Sequence, residues 1–369
     1  MIKHLKLKNF TVFKEADLEF SPRLNVIVGE NGTGKTHLLK LGYLLSNAWK
    51  KGPDESINVY LSKRIRRVFA TDKIGHLTTM GSVDGASQIV AEFTPKRLLT
   101  MSLPGSYVAT LSIHFTNRSK ENFKSIEEDE RVNSDDGIEV ISIQHSDDSK
   151  TFKKAIYIPS KEIISWFEGF IALYDKREVS FDETYNDLAI NLSLPKCKAV
   201  SPLITSALQV LATDIEGTLE LEGGKFFLVS KGSKRTEANL IAEGIRKLAT
   251  LVRLIENGSL DVGDTLFWDE PESNLNPKLI KDLAALFMLL CKNGIQVVIG
   301  THSLFLLREI EILTSQKQFK DIPQRYFALG KAGDTVTVEQ GDSVDDINPF
   351  VMLDEALAQS DRFMDAGNE

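Results

Sequence analysis

The sequence has few cysteines and no long hydrophobic run. Its only two cysteines, Cys197 and Cys291, lie far apart and lack Cys-x-x-Cys spacing. Neither a disulfide framework nor a cysteine-based zinc site is therefore indicated, and a reducing, cytoplasmic location is the expectation. The apolar run Ala284–Cys291 falls well short of the ~18 residues that a membrane-spanning helix needs, so no membrane association is expected.

An excess of positive charge is also missing. The chain of 369 residues carries 44 Lys and Arg against 52 Asp and Glu, a net charge of -8. This balance argues against a generally basic nucleic-acid-binding protein, although it is compatible with a local basic groove. The N-terminal Met1–Lys8 alternates lysine with apolar residues, so it lacks the apolar core of ~7–15 residues found in signal peptides.

Short apolar strands alternate with amphipathic helices near both ends of the chain. Strands are predicted at Ile2–Lys8, Leu18–Phe20, Leu24–Val28, Ala155–Ile158, Thr265–Trp268, Gln296–Ile299, Tyr326–Leu329 and Thr335–Glu339, and helices at Thr36–Trp49, Glu237–Ile255, Pro277–Cys291 and Leu304–Leu313. Such alternation is typical of an α/β fold with a mainly parallel sheet.

The middle of the chain has a different pattern. Strand-like runs occur at Ser87–Phe93, Tyr107–Phe115 and Ile138–Gln144, and a hairpin is predicted from Thr218–Glu222 and Lys225–Val229. The charged stretch Asn117–Asp136 is interpreted as a solvated loop, whereas residues 160–215 have mainly helical periodicity. We therefore expect a β-rich insertion followed by a compact helical lobe.

A glycine-rich loop follows the strand Leu24–Val28 and precedes a helix. Its residues are Gly29, Glu30, Asn31, Gly32, Thr33, Gly34, Lys35 and Thr36, which fit the pattern G-x-x-x-x-G-K-[ST]. In such a P-loop the backbone N–H groups and the helix N-terminus surround a phosphate. Lys35 is predicted to reach the β- and γ-phosphates and Thr36 to bind Mg²⁺. The alternative is a glycine turn that only joins strand and helix.

Two further polar motifs stand at the ends of buried strands. Asp269 and Glu270 follow the strand Thr265–Trp268, and at a strand's carboxyl end they face the crevice where nucleotides bind in α/β sheets. Asp269 is predicted to hold Mg²⁺ and Glu270 to orient or deprotonate the attacking water. His302, after the strand Gln296–Ile299, is predicted to contact the γ-phosphate. A helix N-terminus for the carboxylates and a structural role for the histidine are the alternatives.

The order of these motifs resembles the ABC-type ATPases, specifically their SMC/RecF/OLD-like branch. The form Gly-x-Asn-Gly-x-Gly-Lys and the opening segment Leu7–Phe10 are similar to that branch. The resemblance implies a P-loop NTPase fold, an ATPase activity with ATP and Mg²⁺, and a site shared between two subunits.

The resemblance also identifies a signature segment at residues 239–248. Gly244 matches the family and is expected to approach the γ-phosphate of a partner subunit, whereas Ala242 stands where the family has serine. Asn276 likewise stands where aspartate is usual in the loop after the carboxylates. The alternative for residues 239–248 is an ordinary amphipathic helix.

The same resemblance suggests the domain organisation. We expect the first half of the ATPase domain at residues 1–158, with the insertion near 50–150, a mainly helical lobe at 159–238, the second half of the ATPase domain at 239–345 and a helical tail at 346–369. No heptad pattern indicates long coiled-coil arms, and only about fifty-five residues follow Leu313, too few for the nuclease domain of OLD proteins.

Three functions are compatible with these motifs. The chain is most similar to stand-alone AAA-type ATPases of bacterial anti-phage systems, which implies a homodimer or larger homo-oligomer that controls a separately encoded effector, a nuclease or toxin. A DNA-binding repair ATPase of the RecF kind is the second hypothesis and a transporter subunit the third. The basic run Lys63–Arg67 could contact a phosphate backbone or form a solvated helix face.

Overall fold

In the computed structural model, the described residues are 1–50, 56–79, 86–94, 97–103, 112–116, 126–128, 141–143, 153–198, 205–206, 209–210, 217–230, 234–347 and 351–366. Their strands are β1 (Ile2–Phe10), β2 (Phe13–Glu19), β3 (Leu24–Gly29), β4 (Ser87–Phe93), β5 (Arg97–Leu103), β6 (Ser112–Thr116), β7 (Ile126–Glu128), β8 (Ile141–Ile143), β9 (Ala155–Ile158), β10 (Gly217–Glu222), β11 (Lys225–Ser230), β12 (Arg235–Glu237), β13 (Thr265–Asp269), β14 (Gln296–Thr301), β15 (Gln324–Ala332) and β16 (Thr335–Gly341). The helices are α1 (Lys35–Ser46), α2 (Ile57–Phe69), α3 (Phe170–Asp175), α4 (Glu183–Ser193), α5 (Glu243–Glu256), α6 (Pro277–Lys292), α7 (Leu304–Thr314) and α8 (Val351–Ala366).

A six-stranded sheet forms the centre of the fold, in the order β16-β15-β3-β14-β13-β9. Its pairings are parallel except for the edge strand β16, which runs antiparallel to β15. Val28 pairs with Thr301, and Asp269 pairs with Gly300. The carboxyl ends of β3, β13 and β14 therefore meet at one edge, as the sequence predicted for its three motifs.

Helices cover both faces of this sheet, which explains why its strands are almost continuously apolar. Leu266 and Trp268 lie in a core formed with α5, α6 and α7, whereas Phe267 lies in the core beneath α1. At Gly42 in α1, a Cβ atom would come within 2.7 Å of Phe267 Cε1. The glycine therefore lets the P-loop helix approach β13 closely.

The predicted β-rich insertion does not fold as a separate sheet. Strands β4 to β8 extend the N-terminal hairpin in a seven-stranded sheet of order β2-β1-β4-β5-β6-β8-β7. Within the predicted loop Asn117–Asp136, the described residues include β7, which pairs antiparallel with β8, so the loop prediction is wrong there. The predicted strand Tyr107–Phe115 corresponds to β6, and its first residues lie outside the described ranges.

Two helix boundaries also differ from the prediction. The helix expected from Glu237 begins at Glu243, because residues 235–237 pair with β11 as a strand. The helical tail predicted at residues 346–369 contains a helix that begins only at Val351, and Val344–Asp346 form a 3₁₀ turn. None of the described helices combines the length and apolarity needed to cross a membrane.

Candidate functional site

The P-loop connects β3 to α1 through backbone that favours glycine. Gly32 has φ +82° and Gly34, the residue before α1, has φ +89°. A Cβ atom at Gly34 would also lie 2.8 Å from both Phe13 Cε2 and Val12 Cγ2. The hairpin formed by β1 and β2 therefore packs directly against the loop and fixes its curvature, so that the N–H groups of the loop and of the first turn of α1 surround one cleft.

Lys35 is held inside the loop. Its Nζ donates hydrogen bonds to Gly29 O at 2.7 Å and to Glu30 O at 2.9 Å. Burial lowers the pKa of Lys35, while the nearby carboxylates of Glu270 and Asp269 act in the opposite direction. The ammonium group is thus positioned as a buried cation next to the place where phosphate charge would enter.

Thr36 and Asp269 meet although they come from opposite ends of the chain. Thr36 Oγ1 donates to Asp269 Oδ2 at 2.7 Å. Asp269 is buried and its Oδ1 accepts no hydrogen bond within the described residues. Burial raises the pKa of Asp269, and the hydrogen bond from Thr36 opposes this shift.

These two oxygen donors fit a magnesium ion. Mg²⁺ is usually bound through one or two protein oxygens, with water and substrate phosphates completing its shell. Among the described residues no cluster of three or more His, Cys, Asp or Glu side chains could hold a metal ion by itself. An unpartnered buried carboxylate oxygen beside a threonine hydroxyl therefore suits an ion that arrives with a nucleotide.

Glu270 has a strained backbone and a side chain that reaches the cleft. Its φ is +45°, and its N–H donates to Gly300 O at 2.9 Å. The cleft has a volume of about 230 Å³ and is lined by Val12, Asn31, Gly32, Gly34, Lys35, Thr36, His37 and Glu270. Glu270 therefore lines the same cleft as the P-loop residues Lys35 and Thr36.

His302 lies beside Glu270 at the same sheet edge. Its Nδ1 is 3.5 Å from Glu270 Oε1, and its ring is half-exposed. Glu272, which the sequence analysis did not select, holds this segment: its Oε1 accepts from Thr301 Oγ1 at 2.6 Å and from His302 N at 3.3 Å. The only sequence signal for Glu272 was a third carboxylate in the run Asp-Glu-Pro-Glu.

Gly244 and Asn276 have structural roles inside this chain. A Cβ atom at Gly244, which is buried in the first turn of α5, would lie 2.9 Å from Leu275 Cδ2 and 3.0 Å from Leu279 Cδ1. Asn276 caps α6, since its Oδ1 accepts from Leu279 N at 3.0 Å. Helix packing is therefore sufficient to explain Gly244, and its contact with a partner's phosphate stays a prediction.

The basic cluster Lys63–Arg67 lies on α2, but it is not simply a solvated face. The side chain of Arg64 is only 14% exposed. It forms two hydrogen bonds with Asp187, at 2.7 and 3.2 Å, and an ion pair with Glu183 at 3.1 Å. Arg64 is therefore neutralised within the chain, which argues against it as a phosphate-backbone contact.

Family models match most of the chain. A model described as "AAA domain, putative AbiEii toxin, Type IV TA system" matches residues 109–308, and one described as "AAA domain" matches residues 4–188. Among curated relatives, the DNA replication and repair protein RecF of Chlamydia abortus is 51% identical over 45 residues, which are 12% of this chain and 12% of that protein. The match to such relatives thus spans about an eighth of their length.

Solved structures of SMC heads share the fold. An SMC head bound to the C-terminal winged-helix domain of ScpA has a TM-score of 0.55 and 13% sequence identity, over 93% of this chain and 98% of that chain. The Smc head domain with an extended coiled coil from Pyrococcus furiosus, bound to the C-terminal domain of ScpA, has a TM-score of 0.50 and 12% identity, over 98% and 99%. The fold is therefore that of an SMC head domain.

Proposed function

Because the chain belongs to the AAA-domain family whose model is described as a putative AbiEii toxin of type IV toxin–antitoxin systems, we propose that it is an ABC-type ATPase that binds and hydrolyses ATP with Mg²⁺. One observation carries this proposal. The hydrogen bond between Thr36 and Asp269 brings the P-loop and the Asp-Glu strand end together, and Lys35 and Glu270 line the same cleft.

Each residue of the cleft has a defined task in this reaction. The loop N–H groups and the N-terminus of α1 bind phosphate oxygens, and Lys35 neutralises their charge. Thr36 and Asp269 would hold Mg²⁺, which when bound stabilises negative charge on the phosphates. Glu270 orients or deprotonates the attacking water, and His302 donates a hydrogen bond to the γ-phosphate from beside Glu270.

The first experiment replaces Glu270 by glutamine. Glu270→Gln keeps the shape of the side chain and removes the charge that acts on water, so turnover is expected to fall at least ~100-fold, the range of general-base catalysis. ATP affinity measured by calorimetry should stay near the wild-type value. Glu355→Gln, an exposed position on α8, is the matched control and should keep full activity. Wild-type phosphate release from the Glu270→Gln protein would contradict the assignment.

We further propose that the protein dimerises around ATP and controls a separately encoded nuclease or toxin, in anti-phage defence. Two findings support a separately encoded partner: the similar SMC head is bound to another protein, ScpA, and the matching family is described as part of a toxin–antitoxin system. In the Glu270→Gln background, ATP with Mg²⁺ should shift the sedimenting species from monomer to dimer, whereas ADP should not. A species that stays monomeric with ATP and still hydrolyses it in the wild type would refute the shared site.

The second candidate is a DNA-binding repair ATPase, which the RecF match favours. The two candidates differ in what activates turnover. Stimulation of phosphate release by duplex DNA would favour repair, whereas stimulation by a co-purified nuclease or toxin would favour effector control. The internal pairing of Arg64 with Asp187 leads us to expect no stimulation by DNA.

A further inference from the structure

Lys247 is a buried cation that the proposed catalytic groups do not include. It lies on α5 and is 2% exposed. Its Nζ donates to Ser273 O at 2.9 Å and to Ser273 Oγ, and lies 3.5 Å from Glu270 O. All three acceptors belong to the segment Glu270–Ser273, which follows β13 and is called here the catalytic turn. A buried ammonium is costly unless hydrogen-bonded, so this contact fixes the distance between α5 and the catalytic turn.

The catalytic turn needs such support because its backbone is strained. Glu270 has φ +45°, and a left-handed conformation is unfavourable for a non-glycine residue. Such a conformation persists only where its surroundings hold it. The carbonyl of Glu270 accepts from Ser273 N at 3.1 Å and from Ser273 Oγ at 2.9 Å. Lys247 binds both the hydroxyl and the carbonyl of Ser273, and Ser273 in turn donates to the carbonyl of Glu270.

We propose that Lys247 is a positioning residue for Glu270. By fixing Ser273 and the carbonyl of Glu270, it maintains the left-handed backbone that directs the Glu270 carboxylate into the cleft. A shift of α5 would therefore change the position of the Glu270 carboxylate. This inference rests on the proposed ATPase function, because it concerns the geometry of hydrolysis.

The chain offers a matched control on the same helix. Arg253 is also a buried cation, 4% exposed. It donates to backbone carbonyls too, those of Leu192 at 3.3 Å and Leu194 at 2.8 Å. These carbonyls belong to the end of α4 and the residue after it, away from the catalytic turn. Replacing either cation removes a buried charge and its carbonyl contacts, but only Lys247 is connected to Glu270.

The experiment compares full-length Lys247→Met, Lys247→Arg and Arg253→Met with the wild type. Turnover, KM for ATP, ATP affinity by calorimetry and thermal unfolding are measured for each protein. Lys247→Met should lose at least ~10-fold in kcat, equivalent to about 1.4 kcal/mol of barrier, with KM and ATP affinity nearly unchanged. Lys247→Arg should recover part of kcat, since guanidinium N–H groups can donate to the same carbonyls. Arg253→Met should lower the unfolding temperature but keep kcat.

Three results would overturn the inference. The first is an equal loss of kcat in Lys247→Met and Arg253→Met, which would indicate a purely structural role. The second is normal kcat in Lys247→Met while the wild type is active, which overturns this inference alone. The third is no turnover in the wild type, which contradicts the proposed function and this inference with it. If Lys247→Met does not fold, Ser273→Ala removes the Oγ donor to Glu270 O and is expected to give the same selective loss of kcat.

Discussion

Replacing Asp187 by alanine should destabilise the protein through a network that joins three helices. Asp187 on α4 accepts two hydrogen bonds from Arg64 on α2, at 2.7 and 3.2 Å. It also accepts one from Tyr43 Oη on α1 at 2.6 Å. Since α1 begins at Lys35, Asp187 connects the helix that follows the P-loop to α4.

The magnitude follows from what the substitution leaves behind. Removing one partner of a buried ion pair typically costs about 3–5 kcal/mol, and an unpaired buried hydroxyl about 1–3 kcal/mol. Arg64 keeps its ion pair with Glu183 at 3.1 Å, which reduces the first cost. We therefore expect Asp187→Ala to lower the free energy of unfolding by about 3 kcal/mol, near the lower limit of that range.

Urea unfolding of Asp187→Ala, Arg64→Ala and the double variant measures this cost as a double-mutant cycle. The double variant should lose clearly less than the sum of the single variants, because the loss of the Arg64–Asp187 interaction is counted once rather than twice. Glu168→Ala is the control, because it removes the partner of Lys225 in an ion pair of similar length, 3.2 Å. The side chains of Glu168 and Lys225 are 61% and 48% exposed, so this substitution should cost less than about 1 kcal/mol. A loss under ~1 kcal/mol for Asp187→Ala, or additive single losses, would refute the reasoning.

Two further predictions concern the cleft itself. Lys35→Ala should abolish ATP binding by calorimetry with the fold intact, because the cation that faces the phosphates is lost; unchanged affinity would contradict the P-loop assignment. Asp269→Asn should prevent Mg²⁺-dependent ATP binding yet stabilise the nucleotide-free protein. Because the pKa of Asp269 is raised on folding, the wild type loses stability as pH rises through that pKa. The stability gain of Asp269→Asn, about 1 kcal/mol, should therefore be present at neutral pH and vanish in acid. A difference in urea unfolding that does not change with pH would contradict this prediction.

The sheet edge where β3, β13 and β14 end could be predicted from sequence because each of its parts is locally encoded. A glycine-rich loop or a pair of carboxylates directly after an apolar run marks the end of a strand, and parallel strands bring such ends together. The Thr36–Asp269 hydrogen bond confirms that juxtaposition. The prediction of helical structure at residues 160–215 is confirmed over α3 and α4 for the same reason, since helical periodicity is local.

Features that depend on distant pairing could not be predicted in this way. The ion pair between Arg64 and Asp187 joins residues 123 positions apart, and nothing near Arg64 indicates its partner. The N-terminal hairpin is extended by β4 because β1 pairs antiparallel with β4, and local sequence patterns do not indicate that pairing. The left-handed backbone of Glu270 arises from contacts with Gly300 and Ser273, so a glutamate in the sequence gave no signal of it.

The position of β3 in the sheet has a consequence for the order of events during synthesis. β3 lies between β14 and β15, so the strand that carries the P-loop emerges from the ribosome early but cannot complete its pairing until residues near Leu329 have followed. Until then the apolar run Leu24–Val28 has exposed edges, which are prone to misassociation. A chain truncated before β14 should therefore depend on chaperones, because β3 and β13 then lack the strand that lies between them.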